Sequence, residues 1–91
     1  MSKVQAIKEL TQIPGIGKSI AANLWDIGIR KISDLEGEDP EKLYELSNKH
    51  AGVVQDRCLL YVFRCAVYFA SRKKHDPRLL KWWAWKDPKG K

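Results

Sequence analysis

Two glycines one residue apart, in Ile13-Pro14-Gly15-Ile16-Gly17, interrupt a run of apolar residues spaced for helix on either side. A helix does not run through such a segment: proline removes a donor, and glycine loses more backbone freedom than any other residue. Upstream, Val4, Ile7 and Leu10 recur at three-residue steps and predict a helix over residues 3–12. Downstream, Ile20, Ala21, Leu24 and Trp25 form the stripe of a second helix, Lys18 to Asp26, with Gly28 as its C-terminal cap. Leu10–Leu24 is therefore a helix-turn-helix hairpin with a Gly-rich turn. Glycines there allow positive φ and close approach to the backbone, so the amides of Gly15, Gly17 and Lys18 are expected to face solvent. The second helix starts just behind them, and a helix N-terminus carries about half a positive charge and free N–H donors. The turn is shaped to hold a phosphate. Ile16 is expected to plug inward, Ala21 to sit at the helix crossing, and Lys18 and Ser19 to add a cation and a hydroxyl.

A second, degenerate copy of the same pattern covers Ile32–Leu46. Ser33 and Glu36 have the spacing of a capping box, predicting a short helix ended by Gly37. Asp39-Pro40 predicts the start of the next helix, through Leu43, Tyr44 and Leu46 to about Lys49. Charge divides the two copies. Residues 1–31 carry net +3, residues 32–47 net −5 and residues 48–91 net +8. An acidic turn without the second glycine is not expected to grip phosphate.

Beyond residue 50 the pattern predicts a long helix from Val53 to Arg72, with Lys73, Lys74 and His75 at its carbonyl end. Asp76-Pro77 predicts a final short helix, Arg78 to about Trp85, and a frayed tail over residues 86–91. No strand pattern appears, so the fold class is all-α, in one domain over residues 1–91. The most apolar run, Cys58–Ala70, spans 13 residues and contains Arg64. A membrane span needs about 20 residues, so this run reads as a buried helix.

Cys58 and Cys65 are seven residues apart, about 10.5 Å along a helix axis, too far for a mutual disulfide. Zinc sites use closer cysteine pairs, so the two read as core packing and no metal is expected. No signal sequence opens the chain, and the expected location is a reducing cytoplasm.

The segment Leu10-x-x-Ile13-Pro14-Gly15-Ile16-Gly17-Lys18-Ser19-Ile20-Ala21-x-x-Leu24 resembles the helix-hairpin-helix family at every defining position. Nearly the whole chain resembles the small bacterial pathogenicity-locus helix-hairpin-helix proteins. The relevant runs are LTQIPGIGKSIAANLWDIGI, DLEGEDPEKLYEL, DRCLLYVFRCAVYFA and LLKWWAWKD. The resemblance implies a tandem hairpin fold that binds DNA without reading bases, through Gly15, Ile16, Gly17, Lys18 and Ser19. It also implies a monovalent cation on the turn carbonyls of Thr11, Ile13 and Ile16; no other cofactor is expected. Glycosylase-lyases of this family place a catalytic lysine where Ser19 stands, and the chain has no room for a base-pocketing second domain. No enzyme activity is expected.

Three features leave alternatives open. Arg57, Arg64 and Arg72 form a stripe that suits either a second DNA contact or one polar ridge on a buried helix. Trp82, Trp83 and Trp85 suit either a base-stacking platform or a lid over the long helix. Paired hairpins also serve as homodimer or adaptor modules, which makes a protein partner the competing function.

Overall fold

The computed structural model describes residues 2–87 and contains no strand among them. Over these residues the chain is all-α, with four helices and three short 3-10 turns. The first helix, α1, spans Lys3–Leu10 and is opened by a capping box: Ser2 Oγ accepts from the Gln5 amide and Gln5 Oε1 accepts from the Ser2 amide, both at 3.3 Å. The second, α2, spans Lys18–Asp26 and ends ahead of Gly28, which takes φ 97°. These two helices pack on each other as the predicted hairpin. Leu10, Ile13, Ile16, Ala21 and Leu24 are all buried in the seam. Ile16 plugs inward and Ala21 sits in full burial, as the pattern required.

The second copy is looser. Its first helix is only a 3-10 turn, Ile32–Leu35. Ser33 does not cap it, because the turn starts earlier, with Lys31 at the N-cap; Ser33 lies inside, and its carbonyl accepts from the Glu36 amide. Asp34 instead accepts from the amides of Arg30 and Lys31, at 3.0 and 3.2 Å. The copy is tied to the first one by Glu9, whose carboxylate accepts from the Ile32 amide at 2.6 Å. The third helix, α3, spans Pro40–Ala51 and starts where Asp39-Pro40 predicts, with Asp39 accepting from the Glu41 amide.

The long helix starts later than expected. As α4 it spans Cys58–Ser71 rather than 53–72. Gly52 takes φ 76°, and Val53–Arg57 forms a loop in which Val53 and Val54 are exposed. Polar contacts hold the loop out of helical register. The Gln55 amide donates to Asn48 Oδ1 at 2.9 Å, its side-chain amide reaches Ser47, and the Tyr44 hydroxyl donates to the Gln55 carbonyl. Asp56 then caps α4 by accepting from the Cys58 amide at 2.9 Å.

The expected last helix is two 3-10 turns, Pro77–Leu80 and Trp82–Trp85, broken by extended Lys81. The break frees the Leu79 carbonyl, which accepts from the Trp85 indole at 2.9 Å and faces the Cys65 thiol at 3.5 Å. The return is pinned further by the ring of His75, stacked on Phe69 and bonded to the Phe69 carbonyl at 2.8 Å.

Helix α4 touches α3, the Ile32 turn and both terminal turns, and its Leu60, Phe63, Cys65 and Ala66 are almost wholly buried. Its apolar faces are covered from within the chain. The two cysteines part company: Cys65 is buried, whereas Cys58, at the open end of α4, is exposed. Burial pushes the Cys65 thiol up, and Asp56 pushes up that of Cys58.

The first residues of the expected frayed tail are anchored. Asp87 accepts from Arg57 Nε, from Arg64 Nη1 at 3.0 Å and from the Tyr61 hydroxyl at 3.2 Å. Residues 88–91 lie outside the described residues.

Phe63→Ala removes the largest fully buried side chain. It is expected to lower unfolding free energy by about 3–5 kcal/mol in urea titrations, a large share of the roughly 5–14 kcal/mol typical of a domain of this size. The hydrogen bond from Arg57, with Arg64 beside it, holds the Asp87 carboxyl at about 2, below its usual value of 3.8. A depressed carboxyl stabilises the fold above the unfolded-state value and loses that contribution as pH falls toward the folded one. Melting temperature is therefore expected to drop between about pH 4 and pH 2 in the native chain. Asp87→Asn is expected to start lower at pH 7 and to lose this part of the drop.

Candidate nucleic-acid interface

The turn between α1 and α2 uses its two glycines differently. Gly15 takes φ 85°, a left-handed conformation that strains other residues. A β-carbon there would also meet Trp82 Cδ1 at 3.4 Å. Gly17, by contrast, is extended, with φ −91° and ψ −176°, and has nothing within 4 Å of where a side chain would begin. The expected positive φ thus belongs to Gly15 alone. Any L-residue could adopt the backbone of Gly17, and the protein leaves the space in front of it open.

The hydrogen bonds explain what faces that space. The Ile16 amide is spent on the Ile13 carbonyl at 3.1 Å, and the Ala21 amide on the Gly17 carbonyl at 2.9 Å. Among the described residues no acceptor meets the amides of Gly15, Gly17, Lys18 and Ser19, and no side chain caps α2. All four residues are exposed, so water is their acceptor. Of the five residues expected at the site, Gly15, Gly17, Lys18 and Ser19 present their backbone. Ile16 is 5% exposed and holds the turn down from inside.

No carboxylate interrupts the chain from Leu10 to Trp25. Lys8 and Thr11 of the α1 end line one shallow groove with Lys18. The pattern reading missed Lys8, although a helical step of three from Lys8 to Thr11 at the turn could have found it. The Ile13 carbonyl, one of the three implied cation ligands, already accepts from Ile16.

The second turn has the opposite economy of donors. The Gly37 amide donates to Ser71 Oγ at 3.0 Å, Glu38 to the Leu35 carbonyl at 3.1 Å, and Glu41 to Asp39 Oδ1 at 3.0 Å. Its donors are consumed internally, and its surface is acidic.

The arginine stripe is largely occupied. Arg57 and Arg64 share Asp87, and Arg64 also donates to the Trp85 carbonyl at 2.8 Å and approaches Glu41 at 3.5 Å. Arg72 is exposed, its guanidinium 5.8 Å from the Tyr68 ring. Two of the three arginines therefore form the ridge that fastens the C-terminal segment to α4. No group of three His, Cys, Asp or Glu able to hold a metal occurs among the described residues, and none of their helices is long and apolar enough to cross a membrane.

The chain matches the Pathogenicity locus family, Cdd1, over residues 3–91, and belongs to it. It is similar to the mitomycin resistance protein McrB of Streptomyces lavendulae, with 35% identity over 75 residues, covering 82% of this chain and 68% of that protein. No solved structure matches the chain.

The two glycines make opposite predictions for stability. Gly15→Ala is expected to cost about 1–2 kcal/mol from the left-handed backbone, with its methyl reaching ordinary contact with Trp82. Gly17→Ser is expected to melt at or slightly above the native chain, since serine is a better helix N-cap than glycine and nothing lies within 4 Å of its β-carbon position. Equal losses would show that Gly17 is held by the fold rather than left open for a partner.

Proposed function

We propose that this protein binds DNA without sequence preference, as a helix-hairpin-helix module whose first turn holds the phosphates of one strand. The observation that carries this reading is the set of four exposed, unpartnered amides at Gly15, Gly17, Lys18 and Ser19, beside an open Gly17. A phosphate oxygen accepts from amides at the N-terminus of α2, where the helix dipole favours negative charge. Lys8 and Lys18 add mobile cations at the rim, and the Ser19 hydroxyl adds a further donor. Backbone amides at such a turn meet phosphate oxygens, and phosphate contacts position a strand without reading its sequence. The second turn has spent its donors and carries acids, so the grip is one-sided. The chain acts here as a binding module, with no catalytic group assigned.

Such a contact reaches about 2–4 phosphates, which predicts a log affinity falling with log salt at a slope of about −2 to −4. Affinity is expected in the non-specific range, about 10⁻⁴ to 10⁻⁶ M. Gly17→Asp is the sharpest variant. Aspartate is a favoured N-cap, so it should cap α2 with its own carboxylate and keep or raise the melting temperature. The same carboxylate occupies the phosphate position, so binding should disappear. Fluorescence anisotropy with labelled DNA at about 50 mM salt, paired with thermal melts, checks both. A native chain that binds no DNA form and sediments as a stable dimer would replace this reading with a protein-interaction module.

A further inference from the structure

The proposed phosphate grip leaves the Trp-rich return segment without a role in binding, although that segment is built onto the turn. Trp82 lies against Gly15, its Cδ1 3.4 Å from a β-carbon position there. The next residue, Trp83, stands edge-on to it, with ring centroids 5.7 Å apart and planes at 88°. The other three tryptophans have work inside the molecule. Trp25 lies under the Arg30 guanidinium at 3.5 Å, Trp82 covers Gly15, and Trp85 donates to Leu79. Trp83 is 52% exposed, more than any other tryptophan, tyrosine or phenylalanine among the described residues. The Lys81 ammonium lies 5.8 Å from its ring centroid, and that of Lys86 lies 5.8 Å from the Trp82 ring. A bare indole with cations at its rim, carried by a neighbour seated on the turn, matches the composition of a single-strand stacking platform.

We infer that Trp83 stacks on an unpaired nucleobase of the same strand whose phosphates lie on the Gly15–Ser19 turn. This rests on the DNA-binding reading and narrows its substrate class to DNA with unpaired bases: a single strand, a gap or an overhang. Inside a continuous duplex each base is already covered on both faces by its neighbours, so the indole gains nothing there. The rigid Trp82 contact matters because it fixes the platform relative to the phosphate donors. A base bound on Trp83 and a phosphate bound on the turn then belong to one short stretch of strand.

The experiment uses the full chain with a labelled oligothymidine of about 12 nucleotides and a blunt duplex of the same length. Anisotropy titrations compare the native protein with Trp83→Ala, Trp83→Tyr and Gly17→Asp. The native protein is expected to prefer the single strand. Trp83→Ala should weaken single-strand binding by roughly 5- to 150-fold, the range for one lost aromatic–base stack, and leave duplex affinity unchanged. Trp83→Tyr should recover much of the loss, and Gly17→Asp should abolish both. If Trp83→Ala leaves single-strand affinity unchanged while Gly17→Asp removes it, the platform is wrong and the phosphate grip stands. An equal loss on both DNA forms, with native circular dichroism, also overturns the platform, because Trp83 would then support the turn rather than a base. A native chain that binds neither probe overturns both.

Discussion

Helix α4 is the wall on which the rest of the molecule rests. Leu60, Phe63, Cys65 and Ala66 bury almost completely against α3, the Ile32 turn and the terminal turns. A chain of 91 residues has little interior to spend, and one apolar helix shared by several elements is an efficient way to make a core. The consequence reaches the candidate site. Trp82 packs on that core from one side and touches Gly15 from the other. The exposed turn is thereby held at both ends: Ile13 and Ile16 anchor it from below, and Trp82 presses on it from the flank.

The two turns show how similar hairpins reach different surfaces through donor accounting. Every buried or helical amide needs an acceptor, and an exposed one takes water unless something better arrives. In the second turn Asp39 and Ser71 supply that acceptor from within the chain. In the first turn the residue before α2 is glycine, which has no side chain to cap with. The same absence that leaves α2 uncapped leaves it open to an external anion. Capping and phosphate binding compete for the same N–H groups, and one residue at the N-cap decides between them.

Much of this was legible in the pattern. The hairpin from Leu10 to Leu24, the inward Ile16 and the Asp39-Pro40 start all follow from apolar spacing and capping chemistry, and all stand where those rules put them. What the pattern missed depends on contacts distant in sequence. The start of α4 moved to Cys58 because Asn48 and Ser47 capture Gln55, a loop that local propensity cannot see. The terminal helix broke at Lys81 because the Leu79 carbonyl serves Trp85 and Cys65. At the candidate site, the motif singled out the turn but treated its glycines alike. Only the backbone angles separate Gly15, required by conformation, from Gly17, required by nothing inside the chain.

The arginines sharpen where the basic charge of the second half acts. Residues 48–91 carry net +8, with Arg57 and Arg64 sharing the single charge of Asp87 and Arg78 paired with Asp76 at 3.0 Å. Among the described residues, the cations without such a partner include Arg72, Lys73, Lys74, Lys81 and Lys86, all exposed. Lys81 and Lys86 flank the tryptophans beside the Gly15 turn. Exposed charges act over about a Debye length, roughly 8–10 Å at ordinary salt, so those nearest the turn count most toward an anionic strand. Asp87 thus serves two ends at once. By taking up the arginines of α4 it fixes the return segment, and by fixing that segment it sets Trp82 on Gly15 and leaves the neighbouring lysines and Trp83 facing out.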